Sequence, residues 1–184
     1  MVDAETATNG PKRAVFLDRD GVLNRAVVTD GRPYPPRSLA DLEILPGVAD
    51  ALARFRSAGY LNIVATNQPD ITTVKTTQAF VDAIHDHLRA NLAIDAIYVC
   101  TCVEGPDCPC YKPKPGMLLQ AAEEWKVDCA QSFMVGDRWR DVGAGKAARC
   151  RTIFVDYNYQ ERRPDRPDHI VKSLEEAAPI ILAG

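Results

Sequence analysis

Carboxylate, hydroxyl and ammonium side chains recur along this chain directly after short apolar runs. Asp18 and Asp20 follow the first run, Thr66 follows the second, and Asp137 follows a later one. Clustered carboxyl groups raise one another's pKa unless a cation neutralises them, and oxygen ligands of this kind suit magnesium. A threonine and a lysine, such as Lys112, can hold phosphate oxygens. Together these residues indicate phosphoryl transfer.

The spacing of the first two carboxyl groups suits a two-step reaction. With a metal and a lysine neutralising charge, a carboxylate can attack phosphorus and form an aspartyl-phosphate. A second carboxyl group two residues away can protonate the leaving oxygen and later deprotonate water. An aspartate after a strand is often only a turn or helix-cap residue. Here the polar residues recur after successive strands, which favours the catalytic interpretation.

Four cysteines lie within eleven residues in the pattern Cys-x-Cys-x₅-Cys-x-Cys. Cys100, Cys102, Cys108 and Cys110 offer enough soft ligands for a closed tetrahedral zinc site. The alternative is a set of reduced thiols without metal, but a polar loop offers no core in which to bury them. Because the spacing is Cys-x-Cys and not the Cys-x₂-Cys of zinc ribbons, it does not indicate a nucleic-acid-binding ribbon. We expect the metal to order the loop that leads to Lys112.

The elements that must position these residues alternate between strand and helix. Short apolar runs predict five strands, at 14–17, 61–65, 96–99, 132–135 and 152–155. Helical spacing of apolar residues predicts helices at 48–58, at 73–91, from residue 115 onward and at 141–148. A last helix after residue 173 is predicted to be short or broken. This order predicts a three-layer, Rossmann-like parallel sheet of about five strands with helices on both faces. Ligands bind beyond the carboxyl ends of such strands.

The remaining segments are predicted to be less regular. Residues 1–12 are polar and predicted to be a flexible terminus, and residues 13–184 to be a single domain. Residues 20–45 contain several prolines and no periodicity, which predicts a long loop or flap. Residues 157–168 predict a surface linker. His85 and His87 are two apart on a helix, a poor metal pair, and are predicted to lie on its solvated face.

Composition excludes several classes of function. The chain has 184 residues and a formal net charge of −3. A slightly negative chain is not expected to attract the phosphates of nucleic acid or of an anionic membrane. The sequence contains neither a secretory signal pattern nor an apolar run that could span a bilayer. We expect a cytoplasmic monomer whose only partner is a small phosphorylated substrate.

Four motifs carry a resemblance to a known family. FLDRDGVLN, IVATNQ, KPKPGM and VGDRWRDVGAG resemble the four motifs of the haloacid-dehalogenase-like phosphatases. The resemblance implies a nucleophile at Asp18 and a general acid and base at Asp20. It implies phosphoryl binding by Thr66 and by Lys112, which directly precedes the first proline of its motif. Magnesium would be held by Asp18, the Asp20 carbonyl and Asp137, with Asp141 supporting the site.

The cysteine loop resembles the branch that contains heptose-bisphosphate and histidinol-phosphate phosphatases, which lack a large cap domain. The resemblance implies D-glycero-D-manno-heptose 1,7-bisphosphate as substrate, with histidinol phosphate or another small sugar phosphate as the alternative. Cys102 replaces the branch's usual histidine, Tyr111 replaces an arginine, and the loop after Gln68 departs from the branch's pattern. Arg138 stands where heptose enzymes carry a basic substrate residue, and is either that or a plain surface arginine. Candidate substrate-binding residues are Asn24, Asn67, Gln68, Tyr111 and Arg138.

Two other classes of protein remain as alternatives. A phosphorelay receiver also combines aspartates, a threonine and a lysine on a parallel sheet. Its phosphoacceptor follows the third strand, whereas here the paired aspartates and Thr66 follow the first two. The second alternative is a zinc-stabilised interaction module with vestigial active-site residues. In that case Asp18→Asn would change nothing, whereas the enzyme interpretation requires loss of hydrolysis.

Overall fold

The computed structural model describes residues 10–184, so residues 1–9 of the predicted N-terminal segment lie outside it. The strands are β1 (Arg13–Leu17), β2 (Val27–Thr29), β3 (Arg32–Tyr34), β4 (Tyr60–Asn67), β5 (Ala96–Cys100), β6 (Phe133–Gly136), β7 (Arg151–Val155) and β8 (His169–Val171). The helices are α1 (Val48–Ser57), α2 (Gln78–Asn91), α3 (Gly116–Trp125), α4 (Trp139–Ala147) and α5 (Leu174–Leu182). Six strands form one parallel sheet in the order β5-β4-β1-β6-β7-β8.

The central strand β1 shows why the sheet is covered on both faces. Its apolar residues are fully buried and alternate between two cores, Val15 and Leu17 in one, Ala14 and Phe16 in the other. Helices α1, α2 and α5 pack over the first core, and α3 and α4 over the second. The predicted three-layer α/β fold with a parallel sheet is therefore confirmed.

The sequence prediction missed one strand of the sheet and placed the start of one helix too early. The sheet has a sixth strand, His169–Val171, whose three residues are too few to show a strand pattern. Helix α2 begins at Gln78 and not at Thr73, because Thr77 is its N-cap and accepts a hydrogen bond from the Phe80 N–H at 3.2 Å.

The predicted flap at 20–45 is partly ordered as a hairpin. Strands β2 and β3 pair antiparallel across Asp30 and Gly31. Both turn residues have positive φ, +50° and +70°, as the tight turns that join twisted strands require. Asp-Gly is a recognised turn signal, but the prolines on either side of it obscured the two short strands.

The last helix does not break at its proline. Helix α5 runs through Pro179, which lacks only the one N–H that would reach the Glu175 carbonyl. The Ser173 hydroxyl caps its first turn by accepting from the Glu176 N–H at 3.1 Å. The helix is therefore not broken at Pro179, but at nine residues it is short, as predicted.

The chain between the second strand and Lys112 is short. It holds α2, β5 and the cysteine loop, so the described residues contain no cap domain there. At the start of the described chain, the main chain of Lys12 bonds to Lys126 and Asp128 at 2.9 and 2.8 Å, so order begins before the predicted boundary at residue 13. No helix among residues 10–184 is long and apolar enough to cross a membrane.

Candidate active site

A cavity of about 390 Å³ opens beyond the carboxyl ends of β1, β4 and β6. Because parallel strands end at the same edge of a sheet, side chains that are far apart in sequence meet there. The predicted residues that line it are Asp18, Asp20, Thr66, Asn67, Gln68, Tyr111, Lys112, Asp137, Arg138 and Asp141. One predicted substrate residue, Asn24, does not line the cavity.

Lys112 is the centre of the buried charge cluster. Its Nζ lies 2.6 Å from Asp141 Oδ1, 2.9 Å from Asp18 Oδ1 and 2.7 Å from the Ala65 carbonyl oxygen. Burial alone lowers a lysine pKa, but the two carboxylates raise the pKa of Lys112 above its ordinary value. Lys114 lies elsewhere and donates to main-chain carbonyls of the cysteine loop. The two lysines therefore have separate surroundings, one in the acidic cluster and one on the loop.

Asp18 stands at the end of β1 in a site that disfavours its charge. Burial, followed by the nearby Asp141, raises the pKa of Asp18 to about 6, and Lys112 opposes that rise. Lys112 is paired with Oδ1, which leaves Oδ2 available for chemistry. Asp18 is thus a buried carboxyl group whose ionised form is stabilised near neutral pH by the neighbouring Lys112.

Asp137 is the carboxyl group that most requires a cation. It is 1% exposed, and neither of its oxygens has a hydrogen-bond partner within residues 10–184. Burial, then the charges of Asp18 and Asp141, raise its pKa well above the ordinary value. One oxygen from each of these three aspartates lies within 4.8 Å of the others. An all-oxygen donor set with an unpaired buried carboxylate fits magnesium.

Asp141 has less capacity left for a metal. Its Oδ1 is bound by Lys112, and its Oδ2 accepts a hydrogen bond from the Arg138 N–H at 2.9 Å at the start of α4. The side chain therefore joins the helix terminus to the lysine. This arrangement agrees with a supporting position behind the metal site.

Gly21 allows the turn after β1 to approach Asp137. Its φ is +86°, and a Cβ at this position would lie 1.9 Å from Asp137 Oδ2. Only glycine combines this backbone conformation with so close an approach. The glycine of the DRDG motif thus determines where the β1 turn lies against the β6 turn.

Asp20 is held by three side chains. Arg19 donates to its Oδ2 through Nη2 at 2.7 Å and Nε at 3.1 Å, and Gln68 donates to the same oxygen at 3.3 Å. The Asn24 amide donates to Oδ1 at 2.9 Å. Asn24 was predicted to bind substrate, but its side chain is fully buried, its amide is directed at Asp20, and it does not reach the cavity.

The polar residues at the end of β4 also serve neighbouring groups. Gln68 Nε2 donates to Thr66 Oγ1 at 3.0 Å, and both side chains are buried. The Asn67 amide exchanges two hydrogen bonds with the Lys112 main chain, at 3.1 and 3.2 Å. Asn67, which the sequence prediction assigned to substrate contact, therefore joins β4 to the loop that carries Lys112.

The rim of the cavity contains arginines that are paired with acids. The Arg138 guanidinium forms an ion pair with Glu161, with Nη2 and Oε2 2.5 Å apart. The Arg140 guanidinium pairs with Glu104 at 2.5 Å and lies 5.6 Å from the centre of the Tyr111 ring. No local sequence pattern predicted the pairing of Glu161 with Arg138, because the two residues are 23 positions apart.

The segment predicted as a surface linker contributes to the site. In addition to Glu161, which pairs with Arg138, the segment contains Tyr157 and Tyr159, whose rings stack with their centres 5.5 Å apart. Burial, followed by the negative charge of Asp137, raises the pKa of Tyr159 above its ordinary value. Part of 157–168 therefore lies beside the cavity, and the linker interpretation is wrong for that part.

The four cysteines of the loop converge in space. Their sulfur atoms all lie within 4.8 Å of one another. Cys100 Sγ and Cys110 Sγ are in close contact, and Cys108 Sγ lies 3.6 Å from Cys100 Sγ and 3.4 Å from Cys110 Sγ. Cys102 Sγ lies 3.8 Å from Cys110 Sγ. Four sulfurs so close together also fit a tetrahedral zinc site in the reduced protein.

His85 was predicted to lie on a solvated face, and this was wrong. It is 3% exposed, and its Nε2 lies 3.2 Å from Nη1 of Arg19, which is fully buried. The signal was present in the helical spacing, since His85 falls on the same face of α2 as Val81, Ile84 and Leu88. Arg19 had no such signal, because it lies in a turn.

Comparison with known proteins agrees with the geometry. The family model described as haloacid dehalogenase-like hydrolase matches residues 25–149. A D-glycero-D-manno-heptose-1,7-bisphosphate 7-phosphatase from Thermosynechococcus vestitus is 34% identical over 190 residues, covering 91% of this chain and 94% of the relative. The D-glycero-beta-D-manno-heptose-1,7-bisphosphate 7-phosphatase of Escherichia coli is 36% identical, covering 76% of each chain.

A solved structure is similar over nearly the whole chain. The D,D-heptose 1,7-bisphosphate phosphatase of B. bronchiseptica, complexed with magnesium and phosphate, is 31% identical with a TM-score of 0.79. The similarity covers 93% of this chain and 98% of that one.

Proposed function

The chain belongs to the haloacid dehalogenase-like hydrolases and is a phosphatase, and we propose that it acts with magnesium on D-glycero-D-manno-heptose 1,7-bisphosphate and removes the 7-phosphate. The observation that carries the chemistry is the cluster of three buried carboxylates around one ammonium group at the base of a cavity. The substrate is supported by the names of the relatives that align along most of the chain. Histidinol phosphate or another small sugar phosphate is the alternative.

Asp18 is the proposed nucleophile. Its Oδ2 attacks phosphorus, a bond forms between this oxygen and phosphorus, and the bond from phosphorus to the sugar oxygen breaks. Lys112 holds the other carboxylate oxygen and supplies positive charge beside the phosphoryl group. Thr66 is the proposed second donor to the phosphoryl oxygens, because its buried hydroxyl accepts from Gln68 and can still donate its own proton.

Asp20 is the proposed general acid and base. Its Oδ2 receives three donor groups, whereas Oδ1 receives only the Asn24 amide. A carboxyl oxygen has two lone pairs, so Oδ1 is the atom that can carry the proton. Asp20 gives this proton to the sugar oxygen as it departs. It then takes a proton from the water that attacks the aspartyl-phosphate, and Asp18 and free phosphate are released.

The metal would be held by Asp18, Asp137 and the main-chain carbonyl of Asp20, with Asp141 behind them. When bound there, magnesium would neutralise the carboxylates and polarise the phosphoryl group. The fit rests on the buried, unpaired oxygens of Asp137. Asp141 keeps the helix terminus and Lys112 in register with these ligands.

Zinc in the cysteine loop is the second proposed metal. Bound by the four thiolates, it would be structural, since the site has no open position. The loop ends two residues before Lys112 in the sequence, and Lys114 donates to three of its carbonyl oxygens. Thiolates that hold zinc require a reducing compartment, so we propose a cytoplasmic location.

The proposal is tested by phosphate release from a panel of substrates. The wild-type enzyme should release phosphate from the heptose bisphosphate with a kcat/KM well above that for histidinol phosphate and for 4-nitrophenyl phosphate. Asp18→Asn should lower kcat on every substrate by about 10⁴-fold or more, as removal of a nucleophile does. Asp82→Asn, which changes an exposed carboxylate on α2, is the matched control and should retain full activity.

Two outcomes would contradict different parts of the proposal. A heptose bisphosphate that is hydrolysed no faster than the aryl phosphate would overturn the substrate and leave the chemistry intact. Full hydrolysis by Asp18→Asn would overturn the role of Asp18 as nucleophile, and an absence of hydrolysis by the wild-type chain would favour the interaction module. Stable phosphorylation of the wild-type chain without turnover would favour the receiver.

A further inference from the structure

Arg19 and His85 form a buried pair that the reaction as described does not use. Arg19 is the largest side chain in the core with no exposed surface, and it follows the proposed nucleophile directly in the sequence. Its guanidinium donates to Asp20 through Nε and Nη2 and contacts His85 Nε2 through Nη1 at 3.2 Å. The pair therefore connects helix α2 to the carboxyl group that handles the proton.

The contact fixes the chemical state of His85. A guanidinium has five N–H donors and no acceptor, so the His85 Nε2 that it meets must be unprotonated and must accept. Burial, followed by the positive charges of Arg19 and Arg89, lowers the pKa of His85 to about 4, which agrees with a neutral ring. At neutral pH the imidazole is thus a fixed acceptor.

Loss of this acceptor would affect Asp20 through Arg19. Nη1 of Arg19 would be left buried with an unpaired N–H, and an unsatisfied buried donor costs about 1–3 kcal/mol, more for a charged group. The guanidinium can relieve this only by turning, and turning weakens the two bonds from Nε and Nη2 to Asp20 Oδ2. The proton-carrying oxygen would then lose its fixed direction.

We propose that His85 is a positioning residue for the phosphatase reaction: its Nε2 orients the Arg19 guanidinium, and Arg19 orients the Asp20 carboxyl group toward the leaving oxygen. This inference rests on the proposed function, in which Asp20 is the general acid and base. His85 does not touch the cavity, so its influence is expected on the proton-transfer step and not on substrate affinity.

The test compares two leaving groups in the same preparation of each variant. Departure of the heptose 7-oxygen needs a proton, whereas 4-nitrophenolate departs without one. His85→Phe should lower kcat on the heptose bisphosphate about tenfold, a part of the 10²–10⁴ that general acid catalysis supplies. It should leave KM and the kcat on 4-nitrophenyl phosphate within about twofold. The ratio of the two rates is independent of any unfolded fraction, because unfolding lowers both rates equally.

Two further variants make the test specific. His85→Gln should restore the wild-type ratio, because the Gln amide oxygen lies close to the position of Nε2 and accepts a hydrogen bond. His87→Phe changes an exposed histidine on the same helix and should leave the ratio unchanged. Asp20→Asn should give the same leaving-group dependence in a larger form.

The failures are distinguishable. If Asp20→Asn affects both substrates equally, the proposed acid role is wrong, and the inference fails with it. If Asp20→Asn shows the dependence but His85→Phe lowers both rates equally, His85 is merely structural and the proposed function stands. Equal loss of the rate ratio in His85→Gln and His85→Phe would also overturn the inference. If His85→Phe does not fold, His85→Gln decides, and a rate ratio that departs from wild type overturns it.

Discussion

At the base of the cavity, the Lys112 ammonium lies 2.9 Å from Asp18 and 2.6 Å from Asp141 and is 2% exposed, whereas at the rim the Arg138 side chain is 33% exposed and pairs with Glu161. Asp18 and Asp137 at the base directly follow strands β1 and β6, and Lys112 and Asp141 join them from the end of the cysteine loop and from the first turn of α4. The rim groups come from loops and helix termini and are paired with acids that lie far away in the sequence.

This difference separates the chemistry from the choice of substrate. A buried charge cluster tolerates little displacement, because burial is costly for any group that loses its partner. Exposed ion pairs contribute little stability and can exchange partners for a charged ligand. Changes at the base are therefore expected to remove activity, and changes at the rim to shift apparent affinity.

The largest effect on this comparison is expected from Gly21→Ala. A Cβ at this position would lie 1.9 Å from Asp137 Oδ2 and must displace the carboxylate, and a displacement of about 1 Å at a reacting centre can cost about 100-fold in rate. The expected result is a kcat about 100-fold lower and a weaker activation by magnesium, measured by phosphate release against magnesium concentration.

Gly59→Ala is the matched control for this prediction. Gly59 has nearly the same backbone, with φ +83°, but no atom lies within 4 Å of a Cβ there. It should lose only the backbone cost of about 1–2 kcal/mol in stability and retain its kcat. Equal activity of the two variants would mean that the close approach to Asp137 is unimportant.

The second effect concerns the cysteine loop, which leads to the base. Cys102→Ser removes one of the four sulfurs and leaves the other three in place. If the reduced loop binds zinc, the variant should contain well under one zinc per chain, unfold at a lower temperature and have a kcat about tenfold lower, because Lys112 loses its ordered loop. Metal analysis and thermal unfolding under reducing conditions measure this.

The matched control is Cys129→Ser, which changes a half-buried thiol outside the loop. It should retain zinc, stability and activity. If Cys102→Ser behaves in the same way as Cys129→Ser, Cys102 is not a metal ligand and the proposed four-cysteine zinc site is wrong.

The residues at the base were predictable because each stands in one of the four sequence motifs. Asp18, Asp137 and Lys112 needed only the alternation of strands and helices to be brought to one edge. His85 could have been found, since its helical spacing matches the apolar face of α2. Glu161 could not, because its ion pair with Arg138 depends on how a long, polar segment folds back over the sheet.

The third effect is the dependence of stability on pH that is caused by His85, the buried histidine behind Arg19 and Asp20. Burial is the main cause of the lowered pKa of His85, about 4 in the folded protein, with Arg19 and Arg89 adding to it and Asp82 and Asp20 opposing it. Because the unfolded chain has the ordinary histidine pKa of about 6.5, it binds more protons below that pH, and stability falls as pH drops toward 4. The ceiling of this loss is about 3 kcal/mol.

His85→Phe should therefore show a shallower loss of stability between pH 6.5 and 4 than the wild type, measured by urea unfolding at each pH. All other titratable groups are common to both proteins, so the difference between the two pH profiles reports chiefly on His85. His87→Phe, which changes an exposed imidazole, should follow the wild-type profile. Parallel profiles for His85→Phe and the wild type would show that the ring titrates as it does in the unfolded chain.

The smallest effect is expected at the rim, from Glu161→Gln. This change keeps the size of the side chain and removes the charge that holds Arg138. If Arg138 contacts the anionic substrate, loss of the competing Glu161 charge should lower KM for the heptose bisphosphate by about two- to threefold, the size of a partly exposed ion pair, with kcat unchanged. Glu43→Gln breaks the exposed pair with Arg25 and should leave both constants unchanged. A fall in kcat without a change in KM would place Glu161 with the base and remove the distinction between the two regions.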